Sequence, residues 1–484
     1  MIMATTENQR YRLFIDGETV DASSADRLTT TDPATEEPIA RFAAATADDV
    51  DRAVGAARGA LSDWRSETPV ERGRIVHRVA DEIRDRAEEL ARIESRDQGK
   101  PLSQARSDVD DAIRYFEYYA GAADKLEGKS VPRGRANLDL TVRKPYGVSG
   151  QIIPWNFPLS ITARGVAPAL VAGNTAVVKP APTTPLSALH FAEICRDAGV
   201  PDGVVNVVTG GVEPGAALSS HEDVDQLTFT GSVSTGEAVM KSAAETITDV
   251  TLELGGKNPA VVLPDANLDE AVSEIGTGIF TNGGQICSAA DRALVHESIY
   301  DEFVDRIVDE AKSYALGPGT ADPDMGPLNH AEHFETVMEY IELGVEEGAT
   351  LETGGKAPDR DGHFVSPTVF SEVENAMRIA QEEIFGPVLA VIPFEDREEA
   401  TTLANDVDFG LTGGVFSRDV AQALSVAREI DAGSVYVNEW FGGSIETPFG
   451  GTKRSGIGRE KGLEALDSYL QTQNISVSLD EDRP

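Results

Sequence analysis

Two cysteines stand in 484 residues, at positions 195 and 287. They are too far apart in sequence to form a disulfide framework or to give the spacing of a cysteine metal site, so no metal is expected. No apolar run approaches the ~18 residues that a membrane span needs. The start of the chain, "MIMATTENQRYRLF", lacks the basic region and long apolar run of a secretory signal, so a reducing cytoplasm is the simplest location. Positive charge is scarce. Against 82 Asp and Glu there are 42 Lys and Arg, a net charge of −40. That excess repels nucleic acid and anionic membranes and excludes both as partners. Internal repeats and low-complexity segments are absent too.

What is present is a globular composition, 40% hydrophobic and 26% charged, long enough for roughly three domains. The acidic residues form no single tail. They fall between apolar positions along helical stretches such as "DDVDRAVGAARGALSDW". Such a surface repels itself in dilute buffer and is screened at ~1 M salt, where the Debye length is about 3 Å. It resembles the surface of a haloarchaeal cytoplasmic protein.

Helix-period apolar positions predict helices over 45–65, 70–97 and 107–126, and 137–153 reads as strand. From 148 onward strand and helix signals alternate. "GVSGQIIP", "NTAVVKPA", "VVNVVTG", "QLTFTG" and "VTLELGG" read as strands separated by helices. A second series starts near 258 with "PAVVLP", "RALVH", "GPVLAVIPF" and "GSVYVNE". Alternation of this kind implies parallel, doubly wound sheets that bind ligands at the carboxyl ends of their strands. The tail "YLQTQNISVSL" reads as a strand suited to pairing with another chain, and oligomerisation is expected through it and the 127–145 segment.

Several strand ends carry residues with chemistry to offer. Asn156, between the two prolines of "IIPWNFP", reads as a turn residue or as a fixed amide donor for an oxyanion. Lys179 ends "VVK" and reads as a solvated strand end or as a holder of ribose or phosphate oxygens. Gly231 and Ser232 precede a helix whose N-terminus favours phosphate. Glu253, in "TLELGG", either faces solvent or is partly buried with a raised pKa that suits a general base. Cys195 lies on an apolar helix stripe and reads as core. Cys287, in "GGQICSAADR", either is a small buried residue or sits at the entry of a helix "CSAADRALV" that lowers its pKa.

Taken together, "PWNFP", "VVKPA", "FTGS…G", "LELGGK", "GGQICSAADR", "EEIFGPV" and "PFGGTKRSGIGRE" resemble, in order and separation, the motifs of the NAD(P)-dependent aldehyde dehydrogenase superfamily. The resemblance spans about 12–480. It implies an α/β fold of two doubly wound parallel-sheet domains, with a Rossmann-like cofactor unit from 1–126 and 146–254. The catalytic domain would be 255–454, and a small β extension from 127–145 and 469–484 would mediate oligomerisation as a homodimer or homotetramer. Cys287 matches the nucleophile, Asn156 the oxyanion donor and Glu253 the base that activates water. Ile153, Trp155, Lys179, Gly215, Gly231, Ser232, Glu383 and Phe385 match cofactor-binding positions. Glu460 matches a carboxylate assigned to proton relay.

The resemblance also bears on cofactor and substrate. Where many NAD-preferring relatives carry Glu three residues after the lysine, this chain has Pro182, so NADP stays open beside NAD. Arg164 falls at a position that lines the substrate tunnel and reads either as a helix salt bridge or as a partner for a semialdehyde or lactaldehyde. The second Arg of succinate-semialdehyde enzymes is Thr281 here. Phe157, Trp440 and Phe441 would wall the tunnel, and Ile286 and Ser288 would touch a small aldehyde. A CoA-acylating or phosphorylating relative is the alternative within enzymes, disfavoured by Glu253. A crystallin-like structural relative is disfavoured by the intact catalytic groups.

Overall fold

The computed structural model describes residues 10–479. Residues 1–9 and 480–484, which the predicted cofactor unit and β extension include, lie outside the described residues. An eight-stranded sheet runs in the order Gly456–Ile457, Asp249–Glu253, Gln226–Thr230, Val148–Ile152, Thr175–Lys179, Val205–Val207, Leu13–Ile15, Glu18–Val20. Its five middle strands are parallel, and the strands at both margins are antiparallel. The central strands are buried along their whole length, as strands covered by helices on both faces must be. Separate apolar clusters fill the two faces.

The helix Pro158–Ala172 covers one face and stops at Gly173, which takes the left-handed φ of 96°. The helix expected over 70–97 is two helices, Pro69–Asp85 and Ala87–Gln98. Arg86 breaks it with φ −111° and ψ 13°, and ion pairs to Glu82 and Asp197 hold the corner.

Leaving Glu253, the chain passes through Leu254–Lys257 directly into the second sheet. That sheet has seven strands, ordered Thr350–Thr353, Thr368–Ser371, Val388–Phe394, Arg292–His296, Pro259–Val262, Thr412–Phe416, Ser434–Val437. All neighbours are parallel except the first pair, and two apolar clusters again cover its faces. A short return strand closes the loop between the domains: Gly456 pairs with Glu253 and Ile457 with Leu252.

The tail strand Leu470–Ser478 has a partner within its own chain. It pairs antiparallel with Asn137–Pro145, from Leu470 opposite Pro145 to Ser478 opposite Asn137. It is nevertheless the outer strand of that three-stranded sheet, so its other edge is open. No helix of the described residues is long and apolar enough to cross a membrane.

Candidate active site

Cys287 lies between the two sheets. The segment Thr281–Gly284 coils tightly, with left-handed φ at Asn282 (52°), Gly283 (63°) and Gly284 (73°). A Cβ on Gly284 would sit 2.1 Å from the carbonyl oxygen of Gly386. These glycines therefore serve backbone conformation and packing rather than space for ligand. Cys287 follows on a turn that enters the strand Arg292–His296, which corrects the expected helix N-terminus. Asn258 fixes the turn: its Nδ2 donates to the carbonyls of Cys287 (2.9 Å) and Ala289 (2.8 Å), and its Oδ1 accepts from the Thr412 N–H (3.0 Å). With no helix terminus to favour the thiolate, burial pushes the thiol pKa up to about 12, and Arg164 acts against that rise.

Asn156 is buried in the loop between Ile152 and the helix Pro158–Ala172. Its Nδ2 donates to the carbonyl of Gln285 (3.0 Å), next to the nucleophile turn, and its Oδ1 has no partner. An amide nitrogen carries two hydrogens, so one donor is uncommitted. The loop is clamped from below by Lys100, fully buried, whose Nζ donates to the Asn156 carbonyl (2.8 Å). Lys100 also pairs with Asp108 and with Glu94 (3.6 Å), and lies 4.0 Å over the Phe157 ring.

Glu253 is 2% exposed, which settles its orientation inward. Neither carboxylate oxygen has a hydrogen-bond partner. Burial, then repulsion by Glu460, holds its pKa well above the usual carboxylate range, against the pull of Arg164. Arg164 forms an ion pair with Glu460, both buried. The ion pair favours the salt-bridge alternative for Arg164, because its charge is already matched within the chain.

A cavity of about 410 Å³ brings Asn156, Glu253, Cys287, Gly231, Ser232 and Glu383 together. Trp155 and Phe385 form another part of its wall, with ring centroids 5.3 Å apart and edge to face. Burial raises Glu383 to about 8, and its Oε1 accepts from the Gly256 N–H (3.1 Å). His330 and His333 join the same wall, and neither was singled out from sequence. Both ring centroids lie near Trp155, at 5.5 and 5.2 Å, and His333 Nε2 lies 2.7 Å from the Phe385 carbonyl. Burial lowers His333 to about 4. The one signal for them in the sequence is the histidine pair of "NHAEH" at a helix start, where His330 caps the helix Ala331–Glu346.

Lys179 is buried at its strand end, and burial alone lowers its pKa to about 8. Gly215 faces it: a Cβ there would lie 3.9 Å from Lys179 Cδ and Cε. Ser232 caps the helix Val233–Thr246, whose N-terminus opens on the cavity. The buried Glu383 carboxylate and the helix N-terminus at Ser232 line this cavity and fit the ribose hydroxyls and diphosphate of a dinucleotide, and Lys179 adds a buried cation at a neighbouring strand end. Ile153 is turned into the core of the first sheet, and its N–H donates to the Lys179 carbonyl (3.0 Å).

Ile286 and Trp440 belong to the core of the second sheet, and Ser288 is buried. Trp440 Nε1 donates to the Ser288 carbonyl (3.0 Å), bracing the nucleophile turn from behind. Phe157 and Phe441 are partly buried against that core. Cys195 is buried in the core of the first sheet, where its thiol pKa is raised. Among the described residues no group of three or more His, Cys, Asp or Glu is arranged to hold a metal.

A half-buried thiol, a carboxylate and an amide donor on one cavity are the groups that covalent chemistry on a carbonyl needs. The chain belongs to the aldehyde dehydrogenase family, whose sequence profile matches residues 19–475. It is 44% identical over 475 residues to the putative aldehyde dehydrogenase DhaS of Bacillus subtilis, covering 97% of this chain and 96% of the relative. It is equally 44% identical over 472 residues to hydroxyisobutyraldehyde dehydrogenase of Mycolicibacterium austroafricanum, covering 97% and 94%. Among solved structures, the NAD+ complex of aldehyde dehydrogenase from Bacillus cereus superposes with a TM-score of 0.96 at 42% identity, covering 98% of this chain and 97% of that one. Betaine aldehyde dehydrogenase from Staphylococcus aureus with NAD+ gives 0.96 at 40% identity, covering 98% and 96%. The protein is an oxidoreductase that oxidises an aldehyde.

Proposed function

We propose that Cys287, Asn156 and Glu253 carry the oxidation of a small aldehyde to its carboxylate, with NAD or NADP as hydride acceptor. The observation that supports this most is their convergence on one cavity from three separate chain segments. Cys287 Sγ attacks the carbonyl carbon and forms a thiohemiacetal. The free hydrogen of Asn156 Nδ2 and the Cys287 backbone N–H hold the oxyanion. A nicotinamide dinucleotide supplies the acceptor for the hydride that leaves the thiohemiacetal carbon. Glu253 then takes a proton from water, which attacks the resulting thioester, releases the carboxylate and regenerates the thiol.

Lys179, Glu383, Ser232, Gly231 and Gly215 hold the dinucleotide, with Trp155 and Phe385 at its nicotinamide end. NAD is favoured, in line with the NAD+ complexes of the similar structures. Pro182 is exposed and offers a 2′-phosphate neither repulsion nor a cation. Residues 1–126 and 146–254 act as the cofactor unit, and 255–454 as the catalytic domain. The open edge of Leu470–Ser478 joins copies into a homodimer or homotetramer. The free state of both cysteines suits a reducing cytoplasm, and the net charge of −40 suits high salt. The test is reduced-cofactor formation with NAD and with NADP over a panel of short aliphatic, aromatic, hydroxylated and carboxylated aldehydes in multi-molar KCl. Activity that Cys287→Ser abolishes is expected; activity that survives the substitution refutes the assignment.

A further inference from the structure

A second cavity, of about 320 Å³, opens beside the edge strand Ser434–Val437 and is walled by Tyr436, Glu439, Pro448, Phe449 and Lys461. The thiol of Cys287 is within electrostatic reach of both Tyr436 and Lys461, and the wall strand leads to Trp440, which holds the turn at Ser288. The loop behind Phe449 reaches Glu253, since a Cβ on Gly450 would lie 2.6 Å from Glu253 Oε1.

Ion pairing in this region takes up Arg164 but not Lys461. Arg164 and Glu460 neutralise each other. Lys461 is half-buried, yet among the described residues no carboxylate forms an ion pair with it. Its ammonium stands 5.2 Å from the centroid of the Phe449 ring, whose surroundings already include Arg164 at 5.7 Å. Burial and Arg164 disfavour the charged form, while Asp111, Cys287 and Glu460 favour it. A partly desolvated cation without an ion-pair partner is costly, and an anion that reaches it relieves that cost. The exposed Glu439 on the same wall repels an anion, so only a carboxylate carried past it to Lys461 gains.

We propose that Lys461 selects the substrate: the second cavity takes an aldehyde bearing a carboxylate a few carbons from its carbonyl, with the carboxylate on Lys461 Nζ, the chain along Phe449 and the carbonyl at Cys287. This rests on the aldehyde dehydrogenase reading of Cys287. It moves anion recognition from Arg164, which is matched, to a lysine that is not.

The test compares 4-oxobutanoate with butanal, equal in chain length and differing in charge, at one fixed KCl concentration with wild type, Lys461→Met and Lys461→Arg. Wild type is expected to prefer 4-oxobutanoate in kcat/KM. Lys461→Met should raise KM for 4-oxobutanoate roughly 10- to 100-fold, the worth of a hydrogen bond to a charged group, with kcat little changed and butanal unaffected. Lys461→Arg should restore most of the affinity. Independently of turnover, succinate should protect Cys287 from iodoacetamide in wild type and not in Lys461→Met. Equal treatment of the two aldehydes by wild type, or equal damage to both in Lys461→Met, overturns the proposal and leaves the dehydrogenase reading intact. Failure of wild type to oxidise any aldehyde with either cofactor overturns that reading itself.

Discussion

Replacing Glu253 by Gln separates its chemistry from its packing. The side chain is buried, both oxygens lack partners, and Glu460 stands close enough to repel it. A carboxamide has nearly the same volume but cannot take a proton from water. A positioned general base contributes about 10²- to 10⁴-fold, so kcat should fall by that factor, about 3–5 kcal/mol of barrier. Stability should move the other way. Glu253 binds its proton more tightly in the folded chain than in the unfolded one. The stabilisation from that proton is full below the unfolded value of about 4.3 and is lost as pH rises through the folded value. Gln does not titrate, so the variant should gain on wild type with rising pH. Steady-state reduced-cofactor formation and urea unfolding midpoints, each followed from acid to mildly alkaline pH, check both halves. A kcat within tenfold of wild type, or a stability gap that narrows as pH rises, would refute the assignment of a buried base.

Lys100→Met should cost about 3–5 kcal/mol in urea unfolding, because Glu94 and Asp108 stay buried without their cation. Adding Asp108→Asn should recover part of that loss; no recovery would show that the clamp on Asn156, not the charge pairing, dominates. Lysines at Ile475 and Val477, both exposed on the outer strand, should lower the mass seen by light scattering to that of one chain. An unchanged mass would place the contact between copies elsewhere. The melting temperature should climb steadily as KCl rises from about 0.1 M towards multi-molar, since the surface charge is strongly one-signed and screening relieves it. A flat profile would remove the salt-adapted reading.

Much of this architecture was legible because strand and helix periods alternate cleanly and glycines mark helix ends, as Gly173 does. The hairpin Leu13–Ile15 to Glu18–Val20 escaped notice, although "IDGE" carries the Asp-Gly signal of a tight turn, with φ of 54° at Asp16 and 76° at Gly17. The alanines of "CSAADRALV" suggested a helix. Tertiary pairing overrode that preference, because Arg292–His296 is a central strand between two parallel neighbours and Asp291 is tied to Asn258.

The proposed catalytic trio was legible as motifs, yet what each residue touches was not. Spacing says nothing about which charges meet once two domains close. Arg164 and Glu460 sit at opposite ends of the sequence and read separately as a substrate binder and a proton relay, while the fold makes them each other's partner. Their pairing leaves Lys461, adjacent to Glu460 in the chain and attracting no attention there, as a cation within electrostatic reach of Cys287 that forms no ion pair among the described residues. Substrate preference in such a site follows from the charge that remains after the internal pairs are formed, and only the three-dimensional arrangement gives that remainder.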